Sequence, residues 1–261
     1  MRSRTVTEGV RKPLFPGIGT LVNVATVLVG STIGVLLGHR LPHRTRDVVT
    51  DALGLVTLLI AALSAVAVVN PGLERAVGSS APVLIVLGSL LLGGIAGSLL
   101  RIEARLEDFG GWLQRRLSRG AGSEERRRFI EGFVSASLVF CVGPLTIIGS
   151  INDGLGNGPD ELFLKAALDG FASIAFAASL GWGVAASALA VLAVQGTLTA
   201  LGAALGEFLP EAHLAALTAA GGLLLVGVAL RLLRVRSLPV GDLLPALVVA
   251  PLLTQLVVAV R

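Results

Sequence analysis

The chain has 261 residues, 54% of them hydrophobic and 15% charged, with a mean hydropathy of +0.85. A water-soluble domain has about 25% charged residues, so this composition predicts an integral membrane protein. The net charge is +4 and the pI about 10.5, but the arginines cluster at the ends of apolar runs, as they do in cytoplasmic loops. We therefore do not expect nucleic acid as a partner.

The distribution of apolar residues predicts an all-α fold. Residues 1–16 begin with positive charge, but no small-residue cleavage site follows the first apolar run, so we interpret them as an N-terminal tail before an uncleaved first span. Apolar windows of roughly 20 residues predict about eight transmembrane helices, or seven if the closely spaced fifth and sixth are not separate. The predicted spans are Gly17–Gly38, Val48–Val69, Pro82–Leu100, Phe129–Ile151, Leu162–Leu180, Gly183–Leu205, Leu214–Leu233 and Leu243–Val260.

Positive charge predicts the orientation of these spans. The segments after the odd-numbered spans, together with the end of the seventh span, hold 14 of the 21 Lys and Arg residues. Such an excess marks cytoplasmic loops, so both termini are expected outside. The basic tail, with Arg2, Arg4, Arg11 and Lys12, opposes this orientation.

Four segments follow from this pattern: the tail 1–16, a membrane half 17–100 with three spans, a basic linker 101–128 and a second membrane half 129–261 with about five spans. In the linker, apolar residues recur at helical spacing between Arg101, Arg105, Arg115, Arg116 and Arg119. This pattern is typical of a basic amphipathic helix on the inner leaflet. The alternative is a solvated linker that only enforces topology.

Acidic residues within the apolar runs are candidates for ion coupling, because an intramembrane charge costs roughly 2.5–3.5 kcal/mol. Asp51 lies near the start of span two, and Asp169 lies about two turns into span five. Lys165 precedes Asp169 by four residues, a spacing that permits an ion pair on one helix face. A structural role for Asp169, and an interfacial one for Asp51, therefore remain open.

Neutral polar residues in the apolar runs are candidates for solute binding. Asn23, Ser137 and Gln195 are the residues of this kind that we select, although each residue alone is more often a contact between helices. The histidines lie in loops or at span edges without a second metal ligand at helical spacing. No protease motif or phosphate-binding loop is present, so we expect no metal, no cofactor and no enzymatic activity.

The stretch CVGPLTIIGSINDG, residues 141–154, places helix-breaking residues inside span four. Pro144 lacks an amide and disfavours helical geometry at Gly143, so the span is expected to be interrupted there. Freed backbone groups, with Asn152 and Asp153, would then face a solute. The alternative is a simple proline kink, with Asn152-Asp153-Gly154 as a turn outside the membrane.

The spacing of the spans also permits an inverted repeat. Aligning Gly132 with Gly19 places Val142-Gly143 on Val29-Gly30. A unit that begins at span one and recurs at span four is inserted in the opposite orientation, because three spans precede the fourth. Secondary transporters commonly have such repeats, with a central site at interrupted helices, although so few matches also arise by chance.

The chain resembles the uncharacterised bacterial multi-pass proteins of domain of unknown function 554. The matching landmarks, in the order of the family, are Gly19-Thr-Leu-Val-Asn23, the run from Phe140 to Gly154, Lys165-x-x-x-Asp169-Gly, Gln195-Gly196 and Leu243-Leu-Pro-Ala246. The resemblance implies a bacterial inner-membrane protein of a family described as transporters, and it implies no particular substrate.

From these observations we expect a secondary transporter or permease for a small solute or ion, with the site between spans one, four, five and six. The competing interpretation is a non-transporting scaffold or regulator that acts through segment 101–128. The lipid bilayer is the one partner that composition predicts. Substrate, coupling ion, direction and oligomeric state, a homo-oligomer included, stay open.

Overall fold

A computed structural model describes residues 15–117, 122–205 and 210–261, and this part of the chain is α-helical without a β-strand. Most of the tail 1–16, and Arg119 in the linker, lie outside the described residues. The helices are α1 (Ile18–Gly38), α2 (His43–Ala65), α3 (Pro71–Val77), α4 (Ala81–Leu100), α5 (Ile102–Leu117), α6 (Ser123–Cys141), α7 (Pro144–Leu155), α8 (Asp160–Leu180), α9 (Gly183–Ala186), α10 (Ala188–Leu205), α11 (Glu211–Leu232), α12 (Val240–Leu243) and α13 (Ala246–Val260).

The predicted number of spans is confirmed within the described residues. Seven segments are long and apolar enough to cross a membrane, and α6 with α7 forms an eighth that is bent by 61°. Span two begins at His43 and continues through a short 3₁₀ turn to Val69, and α12 with α13 forms the last span. Helix α3 was not predicted; Asn70 caps it by accepting hydrogen bonds from the amides of Gly72 and Leu73.

The bundle is built around α11, the most buried span, whereas α2 and α13 are the least buried. Helix α2 packs along α11, α1 packs along α8, and α7 packs along α10. Large apolar side chains such as Leu63, Leu99 and Phe171 are 68%, 80% and 76% exposed. In a membrane such residues face lipid, where apolar exposure carries no penalty.

Glycines allow α1 to approach α8 closely. A Cβ atom on Gly30, Gly34 or Gly38 would collide with backbone or side-chain oxygen atoms of α8, including the carbonyls of Ile174 and Ala178. Interfaces between helices in lipid commonly use small residues at this spacing. These glycines therefore serve the close packing of α1 against α8.

The interruption predicted in span four is present. Helix α6 ends at Cys141 and α7 begins at Pro144, where a missing amide is tolerated. The alternative of a turn at Asn152-Asp153-Gly154 is wrong, because these residues lie inside α7. The chain leaves the helix at Gly156, which has a φ of 78° and needs the conformational freedom of glycine.

The two ends of the bundle differ in charge. The end that carries Arg46, Arg128, Arg231 and Arg234 is called the arginine side below. Helix α1 runs from the opposite side to the arginine side, where its last residue, Gly38, accepts a hydrogen bond from Arg46 through its carbonyl at 2.7 Å. The ends of α1, α8 and α11 thus meet the starts of α2 and α6 on the arginine side.

Candidate functional site

The break between α6 and α7 leaves backbone groups without helical partners inside the membrane. Val142 and Gly143 are extended, with φ of −96° and −178°. The hydroxyl of Thr146 donates to the carbonyl of Phe140 at 3.1 Å, and its amide donates to the carbonyl of Gly143 at 3.1 Å. Such a break is tolerated where it is buried in protein or lines a wet cavity.

Open space lies beside this break. A Cβ atom on Gly143 would meet no atom within 4 Å. A cavity of about 20 Å³ lies there between the break and helices α2, α11 and α13, with a mainly apolar wall that includes Ile147, Leu217 and Leu225; its volume is room for about one water molecule. The backbone at Gly143 is therefore accessible to a water-sized group. Pro144 is the first residue of α7, and its side chain is not among those that the structure describes.

A buried ion pair lies next to the break. Lys165 Nζ is 2.8 Å from Asp169 Oδ2 and 3.0 Å from Asp169 Oδ1, and the two side chains are 8% and 9% exposed. Both residues also lie close enough to Cys141 to interact with its thiol electrostatically. The predicted pairing on one helix face is confirmed. Charges are retained at such depth only when they are paired.

Asn23 completes this cluster from another helix. Its Nδ2 donates to Asp169 Oδ2 at 2.9 Å, although 146 residues separate the two in sequence. Asn23 is fully buried, and its Oδ1 has no partner among the described residues. The Asn23 side chain thus ties span one to span five and still offers an acceptor.

Gln195, on α10, lies at about the same depth in the membrane as Asn23, on α1. The hydroxyls of Thr20 and Thr199 are 3.4 Å apart where the antiparallel helices α1 and α10 meet. Asn23 follows Thr20 by three residues and Gln195 precedes Thr199 by four, so both lie about one turn deeper on the facing sides. Gln195 is fully buried, and neither its Oε1 nor its Nε2 has a partner in the described chain.

Serines extend this set of buried polar groups. Within the described residues, no hydrogen-bond partner exists for the hydroxyls of Ser31 on α1, Ser135 and Ser137 on α6, and Ser150 on α7. Ser137 is partly buried and the other three are buried. Native proteins usually satisfy buried polar groups, so several unpartnered groups around one break indicate a place that a polar ligand or water occupies.

Asp153 has a different position from the one predicted. Its Oδ2 accepts hydrogen bonds from the amides of Gly17 and Gly19 at 3.1 and 3.2 Å. The carboxylate therefore caps the N-terminus of α1, where unpaired amides and the helix dipole favour an anion. Asp153 is fully buried, and its Oδ1 is unpartnered in the described structure.

Two predicted residues lie away from the cluster. Asp51 is exposed on α2, and no hydrogen bond or ion pair joins it to Asp169. Asn152 donates to Glu161 Oε1 at 3.0 Å, at the junction of α7 and α8. The structure thus brings together Asn23, Asp169 and Gln195 near the break at Gly143, and it leaves Asp51 and Asn152 outside this group.

Cavities open on the arginine side. One of about 320 Å³ reaches Val35 and Ala177, and another of about 750 Å³ reaches Thr50 and Val134. The two share Arg46, Arg128 and Leu180 in their walls. Together they form a vestibule on the arginine side.

An aromatic pair lies between the vestibule residue Ala177 and the ion pair along α8. The rings of Phe140 and Phe176 meet edge to face with centroids 6.0 Å apart, and they are 0% and 1% exposed. Phe140 directly precedes Cys141, and Phe176 lies two turns from Asp169 toward the arginine side. The cluster of Asn23, Lys165, Asp169 and Gln195 is therefore buried, with the phenylalanines toward the arginine side and the Asp153 cap toward the opposite side.

The fold and its buried polar groups define a multi-pass α-helical membrane protein. The chain belongs to the family described as Protein of unknown function (DUF554), which matches residues 18–255. It is 30% identical over 233 residues to Uncharacterized protein YqgA of Escherichia coli (strain K12), covering 89% of this chain and 94% of that protein.

A second relative is Uncharacterized membrane protein YdfK of Bacillus subtilis (strain 168). It is 25% identical over 233 residues, which cover 89% of this chain and 93% of the relative. No solved structure matches the chain significantly. The resemblance to domain of unknown function 554 is therefore confirmed. The name of the Bacillus subtilis relative agrees with a membrane location.

Proposed function

We propose that the protein is a secondary transporter or permease for a small polar solute or ion in the bacterial inner membrane, and not an enzyme. In this proposal the arginine side is cytoplasmic. Asn23, Gln195, Ser137 and the backbone at Gly143 bind the solute. Asp169, held by Lys165, couples its movement to a proton or cation.

One observation carries this proposal: a charged pair and several unpartnered polar groups are enclosed around a broken helix at membrane depth. An intramembrane charge is costly and is usually retained for function. Broken helices provide polar backbone groups at the centre of many transporters. A scaffold needs neither feature, whereas a transporter needs both to replace the hydration shell of a solute.

The burial of the cluster is consistent with an occluded state. In this proposal the Phe140–Phe176 pair closes the path from the vestibule to the cluster, and Asp153 on the α1 N-terminus closes the other end. Neither barrier is covalent, and each involves few side chains. Alternating displacement of these two contacts would expose the cluster first to one side of the membrane and then to the other.

Thiol labelling tests for a pathway without knowledge of the substrate. Cys141 is the single cysteine of the chain, so Cys141→Ala provides a background for Gln195→Cys. Charged, membrane-impermeant methanethiosulfonate reagents should label this residue in proteoliposomes. Val194→Cys is the matched control, because Val194 is 37% exposed on the lipid-facing surface and should stay unlabelled.

Uptake then tests the role of the cluster. Proteoliposomes are assayed with radiolabelled amino acids, sugars, organic acids, sodium and rubidium. Asp169→Asn with Asn23→Ala should abolish uptake of any solute that the unmodified protein transports, whereas Asp108→Asn, on exposed α5, should not. Labelling of Gln195→Cys from only one side of the membrane, or from neither, would overturn the proposal. Uptake by the double variant equal to that of the unmodified protein would also overturn it.

A further inference from the structure

Helix α5 is fastened to the bundle along one face. Glu103 is 9% exposed; its carboxylate lies 2.6 Å from Arg231 and accepts a hydrogen bond from the Gly241 amide at 2.6 Å. Leu113 is 7% exposed on the same face. The helix therefore has a defined orientation, and the residues on its other face are presented outward.

The start of α5 places it at the membrane boundary. Helix α4 spans the membrane and ends at Leu100, and α5 begins at Ile102. Between them Arg101 has a φ of 53°, a left-handed conformation that turns the chain sharply. No flexible linker separates α5 from the end of the span, so α5 begins at the depth of the lipid headgroups.

The outward face combines aromatic rings with arginines. Phe109 and Trp112 are 44% and 45% exposed, and their rings stack with centroids 5.7 Å apart. The guanidinium carbon of Arg116 lies 5.6 Å from the Trp112 ring centre. Residue Arg105 lies on the same helix face, because it is separated from Phe109 and Trp112 by four and seven residues.

The charge of this face is positive and unpaired. Within the described chain, no ion pair joins Arg101, Arg105, Arg115 or Arg116 to a carboxylate. Of the acidic residues on α5, Glu103 is bound inward to Arg231, and Glu107 lies 3.7 Å from Arg231. Asp108 is the remaining acidic residue of α5, against Arg105, Arg115 and Arg116 on the helix and Arg101 directly before it.

We propose that this face binds the headgroups of anionic phospholipids in the surrounding leaflet. Guanidinium groups form paired hydrogen bonds with phosphate, and indole rings favour the boundary between headgroups and acyl chains. Arg105 and Arg116 bind the phosphates, while Phe109 and Trp112 insert beside them. This inference does not depend on transport activity.

Tryptophan fluorescence tests the proposal. The chain contains two tryptophans, Trp112 and Trp182, so Trp182→Phe leaves Trp112 as the single reporter. The full chain is reconstituted in phosphatidylcholine vesicles that contain increasing fractions of brominated phosphatidylglycerol. Quenching of Trp112 should exceed that produced by the same fraction of brominated phosphatidylcholine.

Arginine variants test the headgroup contact. Each arginine near an anionic surface contributes roughly a fivefold preference, so Arg105→Gln with Arg116→Gln should raise the fraction of phosphatidylglycerol needed for half-maximal quenching at least fivefold. Arg75→Gln, exposed on α3 at the other side of the bundle, is the matched control.

Equal quenching by the two brominated lipids, or no response to the arginine changes, would overturn the proposal. Quenching of Trp112 by aqueous iodide instead of either lipid would show that a water-facing surface or protein partner occupies this face, and would also overturn it.

Discussion

Asn23 donates a hydrogen bond of 2.9 Å to Asp169 and thereby joins the first span to the fifth inside the membrane. The same carboxylate is held by Lys165 at 2.8 Å. Two side chains, Asn23 of α1 and Lys165 of α8, therefore depend on one acid. Several measurable consequences come from this contact and from the enclosure around it.

Removal of one charge of the buried pair should destabilise the protein. Asp169→Leu leaves the Lys165 ammonium unpaired, and Lys165→Met leaves the Asp169 carboxylate unpaired, so each change should lower the free energy of unfolding by about 3–5 kcal/mol. The double variant should be more stable than either single variant, because it removes both charges. Unfolding in detergent measures stability. If the double variant loses the sum of the two single-variant stability losses, Lys165 and Asp169 are not coupled. If the double variant is stable but transports no solute, the pair is needed for transport and not only for folding.

The Asp153 cap should contribute to the stability of α1. Asp153→Ala removes the acceptor for the amides of Gly17 and Gly19, and loss of such a cap costs about 0.5–2 kcal/mol. Asp153→Asn keeps one acceptor and should cost less. Thermal unfolding of the purified variants checks this order, with exposed Asp160→Asn as the control. Equal stability of the alanine variant and the unmodified protein would contradict the capping role.

Two glycines should respond differently to the same substitution. Gly143→Ala should leave stability nearly unchanged, because its Cβ atom would enter open space and its φ of −178° suits any residue. Gly34→Ala should cost about 1–3 kcal/mol or more, because its Cβ atom would meet the Ile174 carbonyl and the Ala177 side chain. Denaturation curves for the two variants make the comparison. Similar losses in both would contradict the close packing of α1 on α8.

Opening the aromatic barrier should increase access from the arginine side. Phe140→Ala removes one ring of the pair with Phe176, so Gln195→Cys in the Cys141→Ala background should react faster with impermeant reagents from that side. Phe171→Ala is the control, since Phe171 is 76% exposed on the lipid-facing surface. An unchanged labelling rate would show that the phenylalanines do not close the vestibule.

The attachment of α5 should depend on Glu103 more than on Glu107. Glu103→Ala leaves the Arg231 guanidinium and the Gly241 amide without their partner, and loss of one side of a buried pair costs about 3–5 kcal/mol. Glu107 is 49% exposed and lies 3.7 Å from Arg231, so Glu107→Ala should have little effect. Unfolding in detergent compares the stability of the variants. Equal effects of the two changes would contradict the assigned attachment.

Local patterns predicted much of the fold. The eight apolar runs, the interruption at Gly143 and the Lys165–Asp169 pair depend on residues close together in sequence, so spacing was sufficient. The contact between Asn23 and Asp169 was not predictable in this way, because 146 residues separate them and many partners satisfy the same spacing. The cap formed by Asp153 on α1 also carries no local signal.

Ser31 and Ser150 were missed for a similar reason. A serine in an apolar run usually bonds to its own helix, so its residue type indicates no function. The unpartnered state of these hydroxyls is visible only when the neighbouring helices are known. Asp51 was selected by its depth in sequence, yet it faces outward on α2, because depth does not determine which helix face a residue occupies.

By itself, the sequence determined that this protein lies in a membrane, that it has about eight helical spans and that one span is broken. Those features follow from the cost of unpaired backbone groups in lipid and from the geometry of proline and glycine, which act locally. Only the tertiary structure decided that Asn23 bonds to Asp169, that Asp153 caps α1 and that Phe140 packs against Phe176. Packing between distant helices selects these partners, and in lipid that selection depends on close surface fit and on hydrogen bonds between helices, which no single segment contains.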